Sequence, residues 1–489
     1  MENNQSNSFL ETEKIGKLMR KYAIPCIISL LVAALYNIVD QIFIGWGVGA
    51  EGNGATNVVF PLTVLALAIA TMIGDGACSF VSISLGRRDD DSAHRTVGNA
   101  IVLTVISSLI VMAIYLIFKS PILRLFGATE EVSQLTRDYA EEYFIWIAIG
   151  IPVYMFGQAM NPIIRSDGSP RLAMIATVAG AVANIILDPI AIFVLHWGVM
   201  GAAVATVAGQ VITAVISLVY LFKMKTVKLS KSSFALNGRL IVKFIPLGFT
   251  SFLSQFSLVL SMAVMNNMIT KYGAVSVFAE NGTADIPLAV QGIVMKFFQI
   301  VISIVVGMAA GCIPIVGFNY GARQYGRCRG MMKRLLTCEA IVGFVALLLF
   351  EIFPVQLISI FGTNNSPQYF AFAKLAFRVY LCMVPLDCVC KASFIFMQSL
   401  GKPVESTLLS LIREVVLAVP LAILLPLLAS NLFGQEAGVY GLLLSMPTAV
   451  IITFIAAMII DLSAARKLKK LEVKDQSGAA PNTPMSENQ

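Results

Sequence analysis

Long apolar stretches alternate with short polar segments along this chain of 489 residues, and about a dozen of them reach the ~20 residues that a helix needs to cross a bilayer. They lie at roughly 23–46, 57–83, 96–118, 139–161, 170–193, 198–222, 243–270, 285–316, 335–353, 370–397, 404–429 and 438–461. Only 13% of the residues are charged and the mean hydropathy is +0.81, values outside the range of soluble domains. The sequence predicts an all-α polytopic membrane protein with twelve transmembrane helices.

Basic residues predict how these helices are oriented. Lysine and arginine are concentrated in the N-terminal segment, the even-numbered loops and the C-terminal tail, and basic loops remain on the cytoplasmic side. Both termini are therefore predicted to be cytoplasmic, with residues 1–22 as an N-terminal segment and residues 463–489 as a disordered tail. The first 22 residues are polar, so we expect no cleavable signal peptide. Topology explains the net charge of +7, and no nucleic-acid partner is expected.

Several kinds of catalytic or cofactor site lack their parts in this sequence. The eight cysteines are scattered and show neither a disulfide framework nor zinc spacing. The two histidines, His94 and His196, are too few for a His-ligated metal site or a Ser/His/Asp triad. The stretch Gly401-Lys402-Pro403 lacks the remainder of an ATP-binding loop. We expect no enzyme activity and no cofactor, so an energy source other than ATP is required.

Two halves of the chain repeat each other. SFVSISLGRRDDDSAHR, from Ser79, corresponds to PIVGFNYGARQYGRCRG, from Pro314. The matched positions include Gly76 with Gly311 and Gly86 with Gly321, 235 apart, Ser166, Gly168 and Pro170 with Ser399, Gly401 and Pro403, 233 apart, and Gly198 with Gly438, 240 apart. Several matches in register across most of each half indicate a duplicated unit.

Each repeat contains six spans, which fixes the relation between the two copies. Because six is even, both copies enter the bilayer in the same orientation and form two lobes related by a pseudo-twofold axis along the membrane normal. The N-terminal lobe is predicted at 23–222 and the C-terminal lobe at 243–462, joined by a cytoplasmic linker at 223–242. Facing lobes of this kind are typical of rocking transporters, although a channel or a scaffold could share the layout.

An aspartate and a proline occur together in the fifth apolar stretch, in NIILDPIAIF at residues 184–193. Asp188 shares a helix face with Asn184 and Gly180, and Pro189 leaves the carbonyl of Ile185 without its helical donor. Carboxylate, amide and carbonyl oxygens thus converge within about one turn, which suits a small hard cation or a proton. An acid at this depth is a functional-site hypothesis; the alternative is an interhelical hydrogen bond or the cap of a broken helix.

Further polar residues on two other helices can complete such a site. Asp40, in LYNIVDQIFIG of the first stretch, is the second deep acid, and Asn37 and Gln41 are its helical neighbours. Thr206 and Gln210 share one face of the sixth span.

If the first, fifth and sixth helices pack together, one oxygen cluster forms from Asp40, Asn184, Asp188 and Thr206. Two neighbouring carboxylates disfavour double ionisation and titrate as a coupled pair. We expect this cluster to bind the coupling ion, H⁺ or Na⁺, with Na⁺ at Asp40, Asn184 and Asp188, and no other metal site.

The repeat provides an internal control for these acids. The position equivalent to Asp40 is Ser261, and the position equivalent to Asp188 is Leu421. A requirement of the six-helix unit should appear in both copies. The acids therefore indicate a specialised site in the N-terminal lobe.

The C-terminal half has its own buried or half-buried charges: Glu280, Asp285, Lys296, Arg378, Asp387, Lys391, Arg413 and Glu414. We expect Asp387 and Lys391, four residues apart, to neutralise each other. Lys296 either pairs with an acid or shapes the central cavity. Arg413 and Glu414 are adjacent and are expected to point in different directions, toward partners on other helices. Residues that could line the cavity or contact substrate are Asn37, Gln41, Gln210, Glu280, Lys296, Arg413 and Glu414.

Six stretches give the chain a resemblance to a known family: YNIVDQIFIG, GDGACSFVSISLGRRD, RSDGSPRLAM, ANIILDPIAIF, GVMGAAVATVAGQ and PIVGFNYGAR. With these motifs, the chain resembles the MATE (multidrug and toxic compound extrusion) family, especially its bacterial multidrug-exporter branch. The resemblance covers nearly the whole chain apart from the two tails. It implies two lobes around a central cavity and export of organic cations driven by inward H⁺ or Na⁺. By position, it also implies that the family's N-lobe cation site is formed by Asp40, Asn184, Asp188 and Thr206.

We therefore expect a monomeric antiporter of the bacterial cytoplasmic membrane that exports organic cations or related metabolites. A flippase for lipid-linked precursors, of the same superfamily, is the alternative. A cationic cavity in which Lys296 and Arg413 lack acid partners would favour the flippase. A channel or a membrane enzyme remains a third possibility, and the missing histidines argue against the enzyme. The residues neither identify the substrate nor choose between H⁺ and Na⁺.

Overall fold

The computed structural model describes residues 9–126, 128, 133–273, 275, 286–359 and 367–477, which are predominantly helical. Numbered in chain order, the long helices are α1 (Ile15–Gly47), α2 (Ala50–Gly86), α3 (Asp90–Ile117), α4 (Gln134–Ser166), α5 (Pro170–Pro189), α6 (Gly198–Leu221), α7 (Gly238–Gly273), α8 (Ile286–Gly321), α9 (Tyr325–Ile352), α10 (Pro367–Tyr380 and Val384–Ser399), α11 (Pro403–Leu411 and Ala418–Phe433) and α12 (Gly438–Leu443 and Ser445–Gln476). Shorter turns are Phe9–Thr12, Lys119–Leu125, Lys231–Phe234, Pro354–Ser359 and Gln435–Ala437, and two segments are π-helical, Ile190–Val194 and Ile412–Leu417.

The helices confirm the predicted membrane architecture. Within the described residues, eleven helices are long and apolar enough to cross a membrane, and α10 supplies a twelfth if its two pieces, bent by 44°, form one span. Several helices are longer than a bilayer requires; α2, with 37 residues, extends to roughly 55 Å at 1.5 Å per residue. Helix ends therefore project beyond the ~30 Å hydrocarbon core.

The C-terminal tail departs from its prediction. Helix α12 continues to Gln476, so residues 463–476 are helical rather than disordered, and residues 478–489 lie outside the described part. Ion pairs to the start of α9 anchor this extension: Arg329 contacts Glu472 at 3.1 Å and Arg323 contacts Asp475 at 3.8 Å. The extension is also rich in lysine, leucine and glutamate, which are strong helix formers.

Helix packing follows the repeat. In the first lobe, α1–α6, helix α2 packs on α4 and α5 packs on both α1 and α6; in the second lobe, α7–α12, helix α10 packs on α8 and α9. The lobes meet where α1 packs on α8, α2 on α7 and α2 on α8. Exchanging the repeats turns the first of these contacts into the second, as a pseudo-twofold axis requires.

Glycines allow the lobes to touch at one end. A Cβ atom on Gly76 of α2 would overlap the carbonyl oxygen of Phe244 in α7, and one on Gly311 of α8 would lie 2.8 Å from Cα of Ala23 in α1. These two contacts are equivalent under the repeat, and small residues are what such close backbone approach needs. We call this end, formed by the last halves of α2 and α8 and the first halves of α1 and α7, the closed end.

The outer surface matches a lipid environment. Helices α3 and α9, which are equivalent in the two repeats, expose large apolar side chains along one face: Val105, Ile106, Leu109, Ile110 and Ile114 on α3, and Ile341, Phe344, Val345, Leu348 and Leu349 on α9. A soluble protein rarely exposes apolar patches of this size, so these faces are assigned to lipid.

Candidate functional site

The local sequence of α5 creates an irregular backbone beside two polar side chains. The α-helix ends at Pro189, and π-helical Ile190–Val194 follows. Proline cannot donate to the preceding turn, and π-helical turns are often found at functional sites. Asn184 and Asp188 lie on the same face of α5, both almost fully buried.

Close packing of α5 on α6 brings a third residue to this face. A Cβ atom on Gly180 would lie 2.6 Å from the carbonyl oxygen of Gly209, so the two backbones are in contact. One turn away, the side-chain amide of Asn184 donates to Oδ1 of Asp188 at 3.0 Å and to Oγ1 of Thr206 at 3.3 Å. A single amide therefore connects the acid to the neighbouring helix.

Helix α1 adds the second acid. Asp40 is only 7% exposed, and its carboxyl group lies close enough to Asp188 for the two acids to interact electrostatically. Three buried oxygens here accept no hydrogen bond: Oδ1 of Asp40, Oδ1 of Asn184 and Oδ2 of Asp188. Buried polar atoms without partners are costly. A small cation could be bound by all three oxygens, and a proton shared between the two carboxyls would satisfy two of them. The structure thus brings together the four residues that the sequence grouped as one cluster.

Tyrosines around the acids were not identified from the sequence. Tyr143 lies beside Thr206, and Tyr36 and Tyr143 lie near enough to both carboxyl groups to interact with them electrostatically. Within apolar stretches, a tyrosine is easily taken for a packing residue. One signal was available for Tyr36, since it precedes Asp40 by four residues and shares its helix face.

A small cavity of about 40 Å³ lies beside the cluster, between α1, α4, α5 and α6. Its lining includes Tyr36, Tyr154, Gln158, Asn184 and Gln210. Since a cavity that binds benzene has about 150 Å³, this space suits water or a small ion rather than an organic drug. Of the predicted cavity residues, Gln210 therefore lies next to the acid pair.

Other predicted cavity residues lie elsewhere. Asn37 is exposed, and its amide donates to the carbonyl of Ala33 in its own helix at 2.9 Å. Gln41 is half-buried on α1 and does not line the cavity. Lys296 is half-buried on α8 in the second lobe. Glu280 lies outside the described residues, as does Asp285.

The second lobe contains a compact cluster of four charges that corrects two expectations. Arg413 pairs with Oδ1 of Asp387 at 2.6 Å and with Oε1 of Glu414 at 2.5 Å, and Lys391 pairs with the same Glu414. Asp387 and Lys391 thus do not neutralise each other directly, and Arg413 and Glu414 contact each other instead of diverging. The reason is that α10 and α11 face each other here, so Asp387 and Lys391 each find an opposite charge on α11 rather than on their own helix.

This charged cluster occupies the place of the first lobe's cavity. At an offset of 233, Asp387, Lys391, Arg413 and Glu414 are equivalent to Tyr154, Gln158, Gly180 and Ala181, all of which line that cavity. The first lobe has two acids and no base at its cluster, whereas the second has two acids balanced by two bases. The duplicated unit has therefore kept its helices and specialised the interior of each copy.

A protein-family model, MatE, matches residues 25–190 and 249–424, which together make up more than half of the chain. Each matched segment falls in one repeat.

Named relatives are similar over most of their length. The multidrug export protein MepA of Staphylococcus haemolyticus (strain JCSC1435) is 23% identical over 441 residues, covering 89% of this chain and 92% of the relative. MepA of Staphylococcus aureus (strain MSSA476) is 24% identical over 447 residues, with the same coverage.

Solved structures share the fold. The MATE multidrug transporter DinF-BH, determined with a ligand bound, superimposes with a TM-score of 0.80 and 31% identity over 92% of this chain and 96% of that one. An outward-facing multidrug resistance MATE transporter of the MOP superfamily gives a TM-score of 0.82 at 22% identity, over 94% and 99% of the two chains. At that lower identity the likeness concerns the fold alone.

Proposed function

This chain belongs to the MatE family, the multidrug and toxic compound extrusion transporters, and on that premise we propose that it is a secondary active antiporter that exports organic cations, drugs or related metabolites in exchange for H⁺ or Na⁺. One observation carries the proposal: Asp40 and Asp188 lie together in the first lobe with three buried oxygens that accept no hydrogen bond. Deep membrane acids without a basic partner are costly to maintain. The function we propose for these acids is reversible binding of the coupling cation.

The substrate class is proposed from the relatives. MepA is named a multidrug export protein, and DinF-BH is described as a multidrug transporter. The cavity beside Asn184 holds about 40 Å³, which suits the coupling ion and not a drug. We therefore assign the coupling ion to the first lobe's interior and the exported molecule to the central space between the lobes.

The mechanism we propose alternates access around this site. In the outward-facing state, the Asp40–Asp188 pair takes up H⁺ or Na⁺, and α1 bends or shifts because its carboxyl group now shares the ion with α5. That movement ejects the substrate. The lobes then rock, release the ion to the cytosol and expose the central space to new substrate. Catalytic residues are not needed, since no covalent bond changes.

The membrane location, topology and oligomeric state of the transporter are also proposed. The MepA relatives favour the bacterial cytoplasmic membrane, and the distribution of lysine and arginine favours a multi-pass protein with both termini cytoplasmic. A monomer is sufficient, because both lobes belong to one chain and the acid pair lies within one lobe.

Substrate accumulation in proteoliposomes tests this function. Asp188→Asn keeps the shape of the side chain but removes its charge, so we expect it to abolish accumulation against a substrate gradient under imposed ΔpH and ΔNa⁺. The matched control is Glu339→Gln in α9, another fully buried membrane acid, which should still accumulate substrate. Accumulation by folded, inserted Asp188→Asn protein at the wild-type level would refute the assignment.

A flippase for lipid-linked precursors is the second candidate. It would be favoured by basic residues without acid partners in the central cavity. Arg413 lies between the carboxylates of Asp387 and Glu414, so that residue gives the flippase no support. Transfer of a fluorescent lipid between leaflets, unchanged in Asp188→Asn, would favour it over the antiporter.

A further inference from the structure

A short segment before α1 is held by the opposite lobe. Residues 9–13, here called the N-terminal strap, form the turn Phe9–Thr12. The side-chain amide of Asn319 donates to the carbonyl of Leu10 at 3.1 Å, and Nη2 of Arg327 donates to the carbonyls of Leu10 and Glu13 at 3.0 and 2.7 Å. Asn319 ends α8 and Arg327 begins α9, so both belong to the second lobe. Nε of Arg327 also donates to Oδ1 of Asn319 at 2.9 Å, which locks the two clamping side chains together.

A second segment, before α7, is held by the first lobe. Residues 230–237, the linker strap, contain the turn Lys231–Phe234. The fully buried side chain of Asn99 in α3 donates to the carbonyls of Ser233 and Ala235 at 3.3 and 3.0 Å and accepts from the backbone N–H of Asn237 at 2.7 Å. The linker between the lobes therefore stays bound to the first lobe until one residue before α7 begins.

The two straps are equivalent under the repeat. With the offset of 221 that relates α1 to α7, residues 9–13 correspond to 230–234, and Gly16 corresponds to Asn237. With the offset of 235 that relates α3 to α9, Asn99 corresponds to Arg334. Arg334 lies against Gly16, because a Cβ atom on Gly16 would overlap Nη1 of Arg334. At the equivalent place in the other repeat, Asn99 accepts a hydrogen bond from the backbone N–H of Asn237. The two straps thus occupy equivalent places, but side chains at non-equivalent positions bind them: Asn319 and Arg327 for one, Asn99 for the other.

Both straps cross the boundary between the lobes at the closed end. Here α1 and α7 begin, Gly76 and Gly311 permit backbone contact, and Oγ of Ser251 in α7 donates to Oδ2 of Asp75 in α2 at 2.9 Å. The hydrogen bonds of both straps and the Ser251–Asp75 bond, all between described residues, therefore join the lobes at this one end. If the lobes separate there to admit substrate, each strap must leave the side chains that hold it.

We propose that Asn99 and Arg327 are positioning residues for the transport cycle, which clamp two reciprocal straps across the lobes and thereby hold the closed end shut. This inference rests on the proposed function, because it assigns the closed end to the cytoplasmic gate of a rocking transporter. The clamps favour the outward-facing state, and cytoplasmic opening requires both to release. Because each clamp consists of two or three hydrogen bonds to backbone groups, losing one raises the open-to-closed ratio about fivefold or more.

Distance measurements on the whole protein in nanodiscs, without substrate or gradient, test the clamps. Spin labels on cysteines at Arg87 and Gln324, both exposed at the closed end, report separation of the lobes, with the half-buried Cys338 and Cys382 replaced by serine. Asn99→Ala and Arg327→Ala should each raise the long-distance fraction relative to the short one about fivefold. The straps are separate, so if one variant fails to insert, the other still tests the proposal.

Matched controls lie on the same helices. Arg95→Ala removes a pair with Asp91 within α3, and Arg329→Ala removes a pair with Glu472 within the second lobe; both should leave the distances unchanged. The proposal would be overturned if Asn99→Ala and Arg327→Ala also left the distances unchanged. It would be overturned too if they slowed exchange between the open and closed states without changing the populations of these states. Since no transport is involved, failure here is distinct from failure of the Asp188→Asn experiment.

Transport kinetics add a readout that loss of packing would not produce. Cytoplasmic substrate binds only the fraction of molecules open to that side, and a larger fraction lowers the apparent dissociation constant in proportion. Asn99→Ala and Arg327→Ala should therefore lower the apparent KM for substrate supplied at the cytoplasmic face. An unchanged or raised KM in both variants would contradict the clamp.

Discussion

At the scale of single residues, one amide organises the site. Asn184 donates to both Asp188 and Thr206, and its own oxygen remains without a donor beside the acid pair. It thereby fixes the direction of the Asp188 carboxyl group while offering a third oxygen ligand. A carboxylate that is already oriented loses less freedom when the ion binds, which is the benefit of preorganisation.

Asn184→Ala should weaken binding of the coupling ion about tenfold, because it removes an oxygen ligand and a hydrogen bond to a carboxylate that is worth ~1.5–3 kcal/mol. The measurement is the concentration of H⁺ or Na⁺ that gives half-maximal export. Asn161→Ala is the matched control, since that amide links α4 to α5 through Ala173 and Thr177 without contacting the acids. Equal losses in both variants would assign the effect to packing.

Residue patterns predicted the first lobe's site better than the second lobe's. Helical periodicity grouped Asp188 with Asn184, and the packing of three helices then brought Asp40 and Thr206 to them. In the second lobe, the same reasoning paired Asp387 with Lys391, but these residues pair with Arg413 and Glu414 of the facing helix instead. Partners on a facing helix depend on tertiary packing and are not encoded in a spacing of four.

At the scale of helices, a glycine contact sets the geometry of the site. Gly180 and Gly209 bring α5 and α6 so close that a Cβ atom on Gly209 would lie 2.5 Å from the carbonyl oxygen of Gly180. That approach is what places Thr206 within 3.3 Å of Asn184. The site therefore depends on two residues that have no polar side chain.

Gly209→Val should separate α5 from α6 and abolish coupled export, with an overpacking cost of about 1–3 kcal/mol. Thermal unfolding in detergent and export in proteoliposomes measure the two effects. Gly238→Ala is the control, because a Cβ atom at Gly238 meets nothing within 4 Å. Wild-type export by Gly209→Val would show that this contact does not position the site.

The helices themselves were the most predictable feature of the chain. Among the described residues, eleven apolar stretches marked a spanning helix and the twelfth marked the bent pair of α10, because a bilayer demands a minimum apolar length. What the stretches did not reveal was how far the helices continue beyond the lipid: α12 extends to Gln476 because Arg329 and Arg323 of the α9 region bind its acidic residues. Such ends depend on distant partners, which hydropathy does not report.

At the scale of the whole molecule, duplication supplied two similar lobes that now differ in charge. The first lobe has an uncompensated acid pair, and the equivalent interior of the second is filled by Asp387, Lys391, Arg413 and Glu414 in balanced pairs. The repeat and the two-lobe fold followed from the sequence. The reciprocal straps did not, because Asn99 and Arg327 bind backbone carbonyls more than 100 residues away.

On this proposal, the Asp40–Asp188 pair exchanges its ion for substrate. The most direct test is to add substrate to purified protein in detergent and to measure release of H⁺ with a pH-sensitive dye and displacement of bound ²²Na⁺. Wild-type protein is predicted to release one of these ions, and Asp40→Asn and Asp188→Asn are predicted to bind substrate without release. Substrate-driven release at the wild-type level from both variants would contradict the account.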